Sequence, residues 1–383
     1  MTLSALLSKR AGESPKKTCI KFEKKKFLYS EIDEIVTLTA GGLRSIGLSV
    51  KDRAAILMEN CPDYIISYFA ILRAGGVVVP VNTFLTAQEV SYILKDCGCK
   101  VLIYGNKFFS YIDTIKKDIL DIKALKFNEI PKISTLHTLS KNPPSPPFIK
   151  GWMGGFEEDG DETAVLLYTS GTTGFPKGAM LTHKNLISNA KACIKVMYLS
   201  NKDRVLLFLP LFHSFTFTVC VIVPIYVGAS IILLASVKPF SKVISSVFKD
   251  RITLFVAVPT IYNILARRKM TFFSQYIFRY LLNIRACVSG AAALPGETLS
   301  AFERRFKVPL LEGYGLTEAS PVVSVNPLNG VRKPGSVGPP LPGVEAATVG
   351  EDGRLLEKGK TGELIVKGPN VMEGYFNKEK ETN

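Results

Sequence analysis

Short, mostly apolar runs alternate with segments of helical period along most of this 383-residue chain. AAILMEN (54–60), VVVPV (77–81), VLIYG (101–105), AVLLYTS (164–170), VLLFLPLF (205–212), SIILLAS (230–236) and ITLFVAVPT (252–260) lack the polar alternation of a strand with one wet face. Strands buried on both faces of a parallel sheet read this way, and the helical stretches between them are the crossovers that parallel strands require. The expected fold class is α/β, with two mostly parallel sheets and crossover helices. Ser30 with Asp33 reads as a capping box opening a helix in which Ile32, Ile35, Val36, Leu43 and Ile46 recur until Gly47. Pro62 opens a second helix, and Thr86 with Glu89 caps a third.

Residues 141–160, KNPPSPPFIKGWMGGFEEDG, break this rhythm and are expected to form an exposed linker or insertion. They separate a first α/β lobe (1–140) from a second (161–334) that holds the chemistry. Residues 335–383 change texture to short strands joined by Gly and Pro turns, which predicts a small β-barrel-like lobe.

Forty-eight Lys and Arg against 33 Asp and Glu give a net charge of +15, a balance suited to anionic ligands. The basic residues are scattered, and the runs Lys24–Lys26 and Arg267–Lys269 read as solvated faces, so no nucleic-acid partner is expected. Seven cysteines, an odd number behind an N-terminus without secretory character, indicate reduced thiols and a cytoplasmic protein. Cys97 and Cys99 have no second pair to complete a metal site and are read as small buried hydrophobes. The run Val205–Val237 contains no Asp, Glu, Lys or Arg and is long enough to cross a bilayer. Pro210, His213, Pro224 and Gly228 divide it into strand, helix and strand, so the soluble reading is preferred. The aromatic stretch 271–282 reads as core packing, with peripheral membrane contact or guidance of a lipid chain as the alternative.

The strand AVLLYTS runs directly into a Gly- and hydroxyl-rich segment, so residues 168–178 read YTSGTTGFPKG. Glycines let backbone N–H groups approach an anion, Ser170, Thr172 and Thr173 add hydroxyl donors, and Lys177 adds a cation, a set suited to a polyphosphate. Pro176 stands where a Walker A loop needs its second Gly, and Gly178 where it needs Ser or Thr, which argues against a P-loop NTPase.

With this segment the chain resembles the adenylate-forming family of acyl-CoA synthetases, luciferases and peptide-synthetase adenylation domains. SGAAALP (289–295) resembles the family's core substrate loop, EGYGLTEAS (312–320) its adenine and magnesium motif, and GELIVKGPNVMEGYF (362–376) the stretch before its interdomain hinge. The resemblance implies the large N-terminal domain of that fold and a reaction in which a carboxylate attacks the α-phosphate of ATP, giving an acyl-adenylate and pyrophosphate. A carboxylate is already ionised at neutral pH, so this step calls for positioning and charge neutralisation rather than a general base.

By the same resemblance Thr169, Ser170, Gly171, Thr172, Thr173, Gly174 and Lys177 hold phosphate. Gly313, Tyr314 and Gly315 meet adenine, Thr317 meets the α-phosphate, and Glu318 binds Mg2+. Gly290 and Ala291 border the adenylate. His213, in LPLFHSFTFT, borders the acyl pocket and points to a fatty or aryl acid. Of the other histidines, His183 is expected to face solvent at a helix start. CoA is the implied acceptor, with acyl-carrier protein as the alternative. Family members continue beyond NKEKETN into a Thr-Gly-Asp strand, a hinge Arg and a small C-terminal domain with the adenylation Lys, none of which this sequence contains. Slow adenylation and no transfer to CoA are expected unless that domain is supplied; a nucleotide-binding protein without catalysis is the rival reading.

Overall fold

The computed structural model describes residues 1–131, 160–169, 175–268 and 282–382. Most of the Pro- and Gly-rich segment, the loop residues Ser170–Gly174 and nearly all of the aromatic stretch 271–282 lie outside the described residues. The chain forms two compact units whose segments interleave. Met1–Lys17, Phe27–Lys184 and Gly374–Asn383 make the first, and Thr18–Lys26 with Asn185–Glu373 the second.

Seven strands build the first unit's sheet: β3 (Arg53–Leu57), β4 (Val77–Pro80), β5 (Val101–Tyr104), β6 (Lys123–Lys126), β7 (Thr163–Thr169), β8 (Lys177–Thr182) and β17 (Gly374–Tyr375). Their order is β17-β8-β7-β4-β3-β5-β6. From β7 to β6 all neighbours are parallel, while β8 and β17 add an antiparallel edge. Because β7 and β8 extend this sheet, residues 161–184 belong to the first unit, and the compact units do not divide at the Pro- and Gly-rich segment. The apolar runs place Ala55, Leu57, Val79 and Leu102 in one buried cluster, which also takes in Cys97 and Cys99.

Helix α1 spans Leu3–Glu13, α2 Tyr29–Ser45, α3 Pro62–Arg73 and α4 Ala87–Asp96. At the start of α4 the Thr86 N–H donates to Glu89 Oε2 (2.7 Å) and the Glu89 N–H to Thr86 Oγ1 (3.4 Å), the reciprocal box expected. The cap of α2 differs from expectation. The helix begins two residues earlier, with Leu28 rather than Ser30 as its N-cap, so Glu31 accepts from the Leu28 N–H at 2.7 Å, and Asp33 instead accepts from Ser8 and Arg73.

His183 corrects the sequence reading. It opens a helix, α5 (His183–Met197), but is buried, and its Nδ1 accepts the Leu3 N–H of α1 at 3.2 Å. Burial pushes its imidazole down to about 4. The unfolded chain therefore binds a proton near pH 6.5 that the folded chain refuses until about pH 4, and stability must fall as pH drops through that window. The loss is on the order of 3 kcal/mol. Urea denaturation between pH 7 and 4 should show this slope, and His183→Gln, which keeps an acceptor without titrating, should lose it. An unchanged slope would contradict the assignment.

The second unit's sheet has the order β14-β13-β12-β11-β9-β10-β1-β2. Its strands are β1 (Thr18–Phe22), β2 (Lys25–Leu28), β9 (Arg204–Leu207), β10 (Ser230–Leu233), β11 (Leu254–Ala257), β12 (Ala286–Ser289), β13 (Leu310–Gly315) and β14 (Val322–Val325). From β1 to β13 the neighbours are parallel, and β14 closes the edge antiparallel. The run Val205–Val237 folds as β9, a short helix α6 (Ser214–Phe217), a wide turn Thr218–Ile222, α7 (Val223–Val227) and β10. Among the described residues no helix is long and apolar enough to cross a membrane. Past residue 335, β15 (Glu345–Val349) and β16 (Glu363–Lys367) form a two-stranded antiparallel sheet.

At the opening edge of the second sheet, Asp203 is buried and fully engaged. Its carboxylate accepts from Arg285 Nε (2.8 Å) and Nη2 (3.0 Å), from Thr253 Oγ1 (2.8 Å) and from the Ser200 N–H (2.8 Å). Burial alone would raise this carboxyl, but the Arg285 and main-chain hydrogen bonds outweigh it and hold the group below its ordinary value. Arg285 Nη1 also donates to the Met197 carbonyl at 2.7 Å, which fastens the last turn of α5.

Candidate nucleotide and acyl site

The second unit carries a cavity of about 400 Å³. Leu209 and Pro210 follow β9, Val258 follows β11, Gly290 and Ala291 follow β12, and Gly313 to Leu316 end or follow β13. All therefore lie at the carboxyl ends of parallel strands, where open α/β sheets bind ligands. Cys193 and Met197 of α5 and Val219, Val288 and Val322 supply apolar wall, and among the described residues no Asp, Glu, Lys or Arg lines the cavity.

Sequence chemistry shapes this mouth. A Cβ on Gly290 would lie 2.8 Å from Phe215 Cζ, so glycine is what lets the ring of α6 close over the strand end. Ala291 holds a left-handed φ of 68°, a conformation non-glycine residues enter at a cost. Tyr314 is 39% exposed, leaving ring surface for a flat ligand. Thr317 Oγ1 lies 3.4 Å from Ser214 Oγ, within reach but too long for a tight hydroxyl bond. His213 lines the cavity beside the Phe212 ring, at 4.2 Å between centroids, and burial lowers its pKa, so it is neutral at pH 7. Glu318 follows Thr317 in the same turn, and its carbonyl accepts the Met372 N–H at 2.8 Å.

In the first unit Thr169 ends β7 and Lys177 begins β8, paired in register across the antiparallel edge. Lys177 Nζ sits 5.5 Å from the centre of the Tyr375 ring, within cation–π range. Ser170, Gly171, Thr172, Thr173 and Gly174 lie outside the described residues.

The structure thus gathers His213, Gly290, Ala291, Gly313, Tyr314, Gly315 and Thr317 around one cavity, and pairs Thr169 with Lys177 in the first unit. Cys193, Met197, Ser214 and Phe215 were not anticipated, nor were the supports. Glu312 Oε1 accepts the Leu294 N–H at 2.8 Å, holding the loop after β12, and Asn370 Nδ2 donates to the Ala319 carbonyl at 2.8 Å. Glu312 sits inside EGYGLTEAS, so a signal existed. Asn370 likewise sits inside GELIVKGPNVMEGYF, but the carbonyl it meets lies 51 residues earlier in the chain and is not marked in the sequence.

The AMP-binding enzyme family model matches residues 7–376. The chain belongs to that family. This AMP-binding enzyme is 36% identical to a long-chain-fatty-acid–CoA ligase of Bacillus subtilis (strain 168), over all of this chain and 71% of that protein. It is 32% identical to an indoleacetate–CoA ligase of Aromatoleum aromaticum, over 98% of this chain and 72% of that one. The fold matches the ATP-bound crystal structure of MatB from Rhodopseudomonas palustris with a TM-score of 0.84 at 29% identity, covering 100% of this chain and 73% of that one. The AMP-binding enzyme is accordingly an AMP-forming ligase of the acyl-CoA synthetase type.

Proposed function

We propose that this enzyme activates a carboxylic acid with an uncharged, largely hydrocarbon tail, a long- or medium-chain fatty acid, and passes it to CoA. The observation that carries the reading is a cavity whose described lining residues give aliphatic and aromatic walls and hydroxyl groups and include no carboxylate, Lys or Arg. A charged tail would enter such a space unpaired, at a cost of several kcal/mol.

In the proposed reaction one oxygen of the substrate carboxylate attacks the α-phosphorus, the bond to the bridging oxygen breaks, and pyrophosphate leaves with the electron pair. Lys177 with Thr169 and residues 170–174 hold the β- and γ-phosphates. Tyr314 stacks on adenine between the backbones of Gly313 and Gly315, and Thr317 donates to the α-phosphate. Gly290 and Ala291 border the acyl-adenylate, and neutral His213 bounds the acyl group without adding charge. A single hard carboxylate at Glu318 fits Mg2+, which takes one or two protein carboxylates and fills its shell with phosphate oxygens and water. When bound there the ion would offset phosphate charge.

A second reading, an aryl acid, draws on Phe215 in the lining and on the indoleacetate ligase among the relatives. Calorimetric titration with short, medium and long fatty acids and an aryl acid separates the two. The account expects the tightest binding from a medium or long chain. Gly290→Ala should push Phe215 into the cavity and shift preference toward smaller acids by about tenfold, the scale of one or two misfitted methylenes. Preference for the aryl acid in the wild-type chain would favour the second reading.

A further inference from the structure

One row of α5 touches two features of the site. Asn185, Asn189, Cys193 and Met197 recur every four residues and so share a helix face. Cys193 and Met197 line the cavity, while Asn189 bonds Val322 at the end of the turn Thr317–Pro321 and Asn185 bonds the carbonyls of Pro369 and Val371. We propose that Asn189 is a positioning residue for that turn, setting the groups that receive the nucleotide. The inference rests on the nucleotide role proposed above for Tyr314 and Thr317.

Asn189 is 1% exposed, and its carboxamide meets one peptide edge twice. Nδ2 donates to the Val322 carbonyl at 2.7 Å, and Oδ1 accepts the Val322 N–H at 3.2 Å. Val322 opens β14, along which residues 339–341 add further main-chain bonds, the Leu341 N–H donating to the Val323 carbonyl at 2.8 Å and the Val325 N–H to the Pro339 carbonyl at 3.4 Å. An asparagine amide offers the same pair of groups as a peptide, and at Val322 the side chain of Asn189 supplies both partners. The turn leading into Val322 is closed by the Leu316 N–H donating to the Pro321 carbonyl at 3.0 Å. Its outer side is held through Asn370 at Ala319, and the segment bearing Asn370 is fastened to the same helix row. Asn185 Nδ2 donates to the carbonyls of Pro369 (2.9 Å) and Val371 (2.8 Å). Two amides one helical turn apart therefore fix both sides of the turn that presents Thr317.

Asn189→Asp keeps shape and acceptor but loses the donor and sets a carboxylate against the Val322 carbonyl. Titrating the folded variant with ATP and Mg2+, and separately with the preferred acid, should show ATP affinity reduced at least tenfold and acid affinity within twofold of wild type. Asn370→Ala, which removes only the Ala319 attachment, should show the same selective loss and decides the matter if Asn189→Asp does not fold. ATP affinity within twofold of wild type in a folded variant, or equal losses for ATP and acid, would overturn the inference. A wild-type chain that binds no ATP would overturn the functional reading as well, whereas equal ATP binding by wild type and variant would overturn this inference alone.

Discussion

Gly315→Ala is expected to lower folding stability by about 3 kcal/mol, the upper end of the usual overpacking range, and to abolish ATP binding. A Cβ at this position would lie 2.0 Å from the Pro321 carbonyl oxygen and 2.8 Å from its carbon. The obstacle is backbone, so no side-chain rotation relieves it. The oxygen it strikes is also the acceptor of the Leu316 N–H, the bond that closes the turn. Moving that carbonyl displaces Tyr314 on one side and Thr317 on the other, so stability and nucleotide affinity fall together. Gly313→Ala, two residues earlier in β13, is the matched control. Its Cβ would lie 3.1 Å from the Ser324 oxygen, which a shift of tenths of an ångström accommodates, and a loss of about 1 kcal/mol is expected. Urea denaturation and ATP calorimetry on both variants check this. Equal stabilities would show that the turn does not depend on the missing side chain.

Asp203→Ala should cost a similar amount, about 3 kcal/mol, for a different reason. The variant keeps Arg285 but removes its counter-charge, and it strips acceptors from Thr253 and the Ser200 N–H. Breaking a buried pair from one side typically costs 3–5 kcal/mol, and the lower end applies because the Arg285 side chain retains 30% exposure. Asp203→Asn should cost less, since an amide oxygen still accepts. The carboxyl titrates below its ordinary value in the folded chain, so its contribution is fully present above the unfolded carboxyl range and lost only as pH falls through the lowered folded value. The difference between wild type and Asp203→Ala should thus be constant from pH 7 to 5 and shrink in stronger acid. A difference that grew on acidification would contradict the pairing.

The parts of the fold that were legible in the sequence share one cause. Strands β3, β4, β5, β9 and β10 sit in sheet interiors and announce themselves as apolar runs. The site motifs were legible for a related reason, because Gly315 and Tyr314 act through local backbone geometry within a few positions, Gly315 against Pro321, whereas the partner of Gly290, Phe215, lies in another motif. What was not legible acts at long range. Strand β1 lies near the N-terminus yet pairs Ile20 with Ile231 in the second unit's sheet. No local pattern distinguishes it from a first-unit strand. His183 reads as a helix-start residue open to water, and only the arrival of Leu3 buries it. Asn189 bonds the main chain of Val322, which carries no residue identity for a sequence to reveal, and although Asn370 and Glu312 lie inside quoted motifs, the main-chain atoms they hold are not marked in the sequence.

Acid-dependent exchange of labelled pyrophosphate into ATP tests the central claim most directly. It should be run with the preferred acid, with this chain alone and mixed with a separately expressed C-terminal domain of a family member. The account predicts exchange above the acid-free control in at least one of these conditions, abolished by Lys177→Ala and by Thr317→Ala. ATP binding without acid-dependent exchange in either condition would contradict it and leave a nucleotide-binding protein that does not form an adenylate.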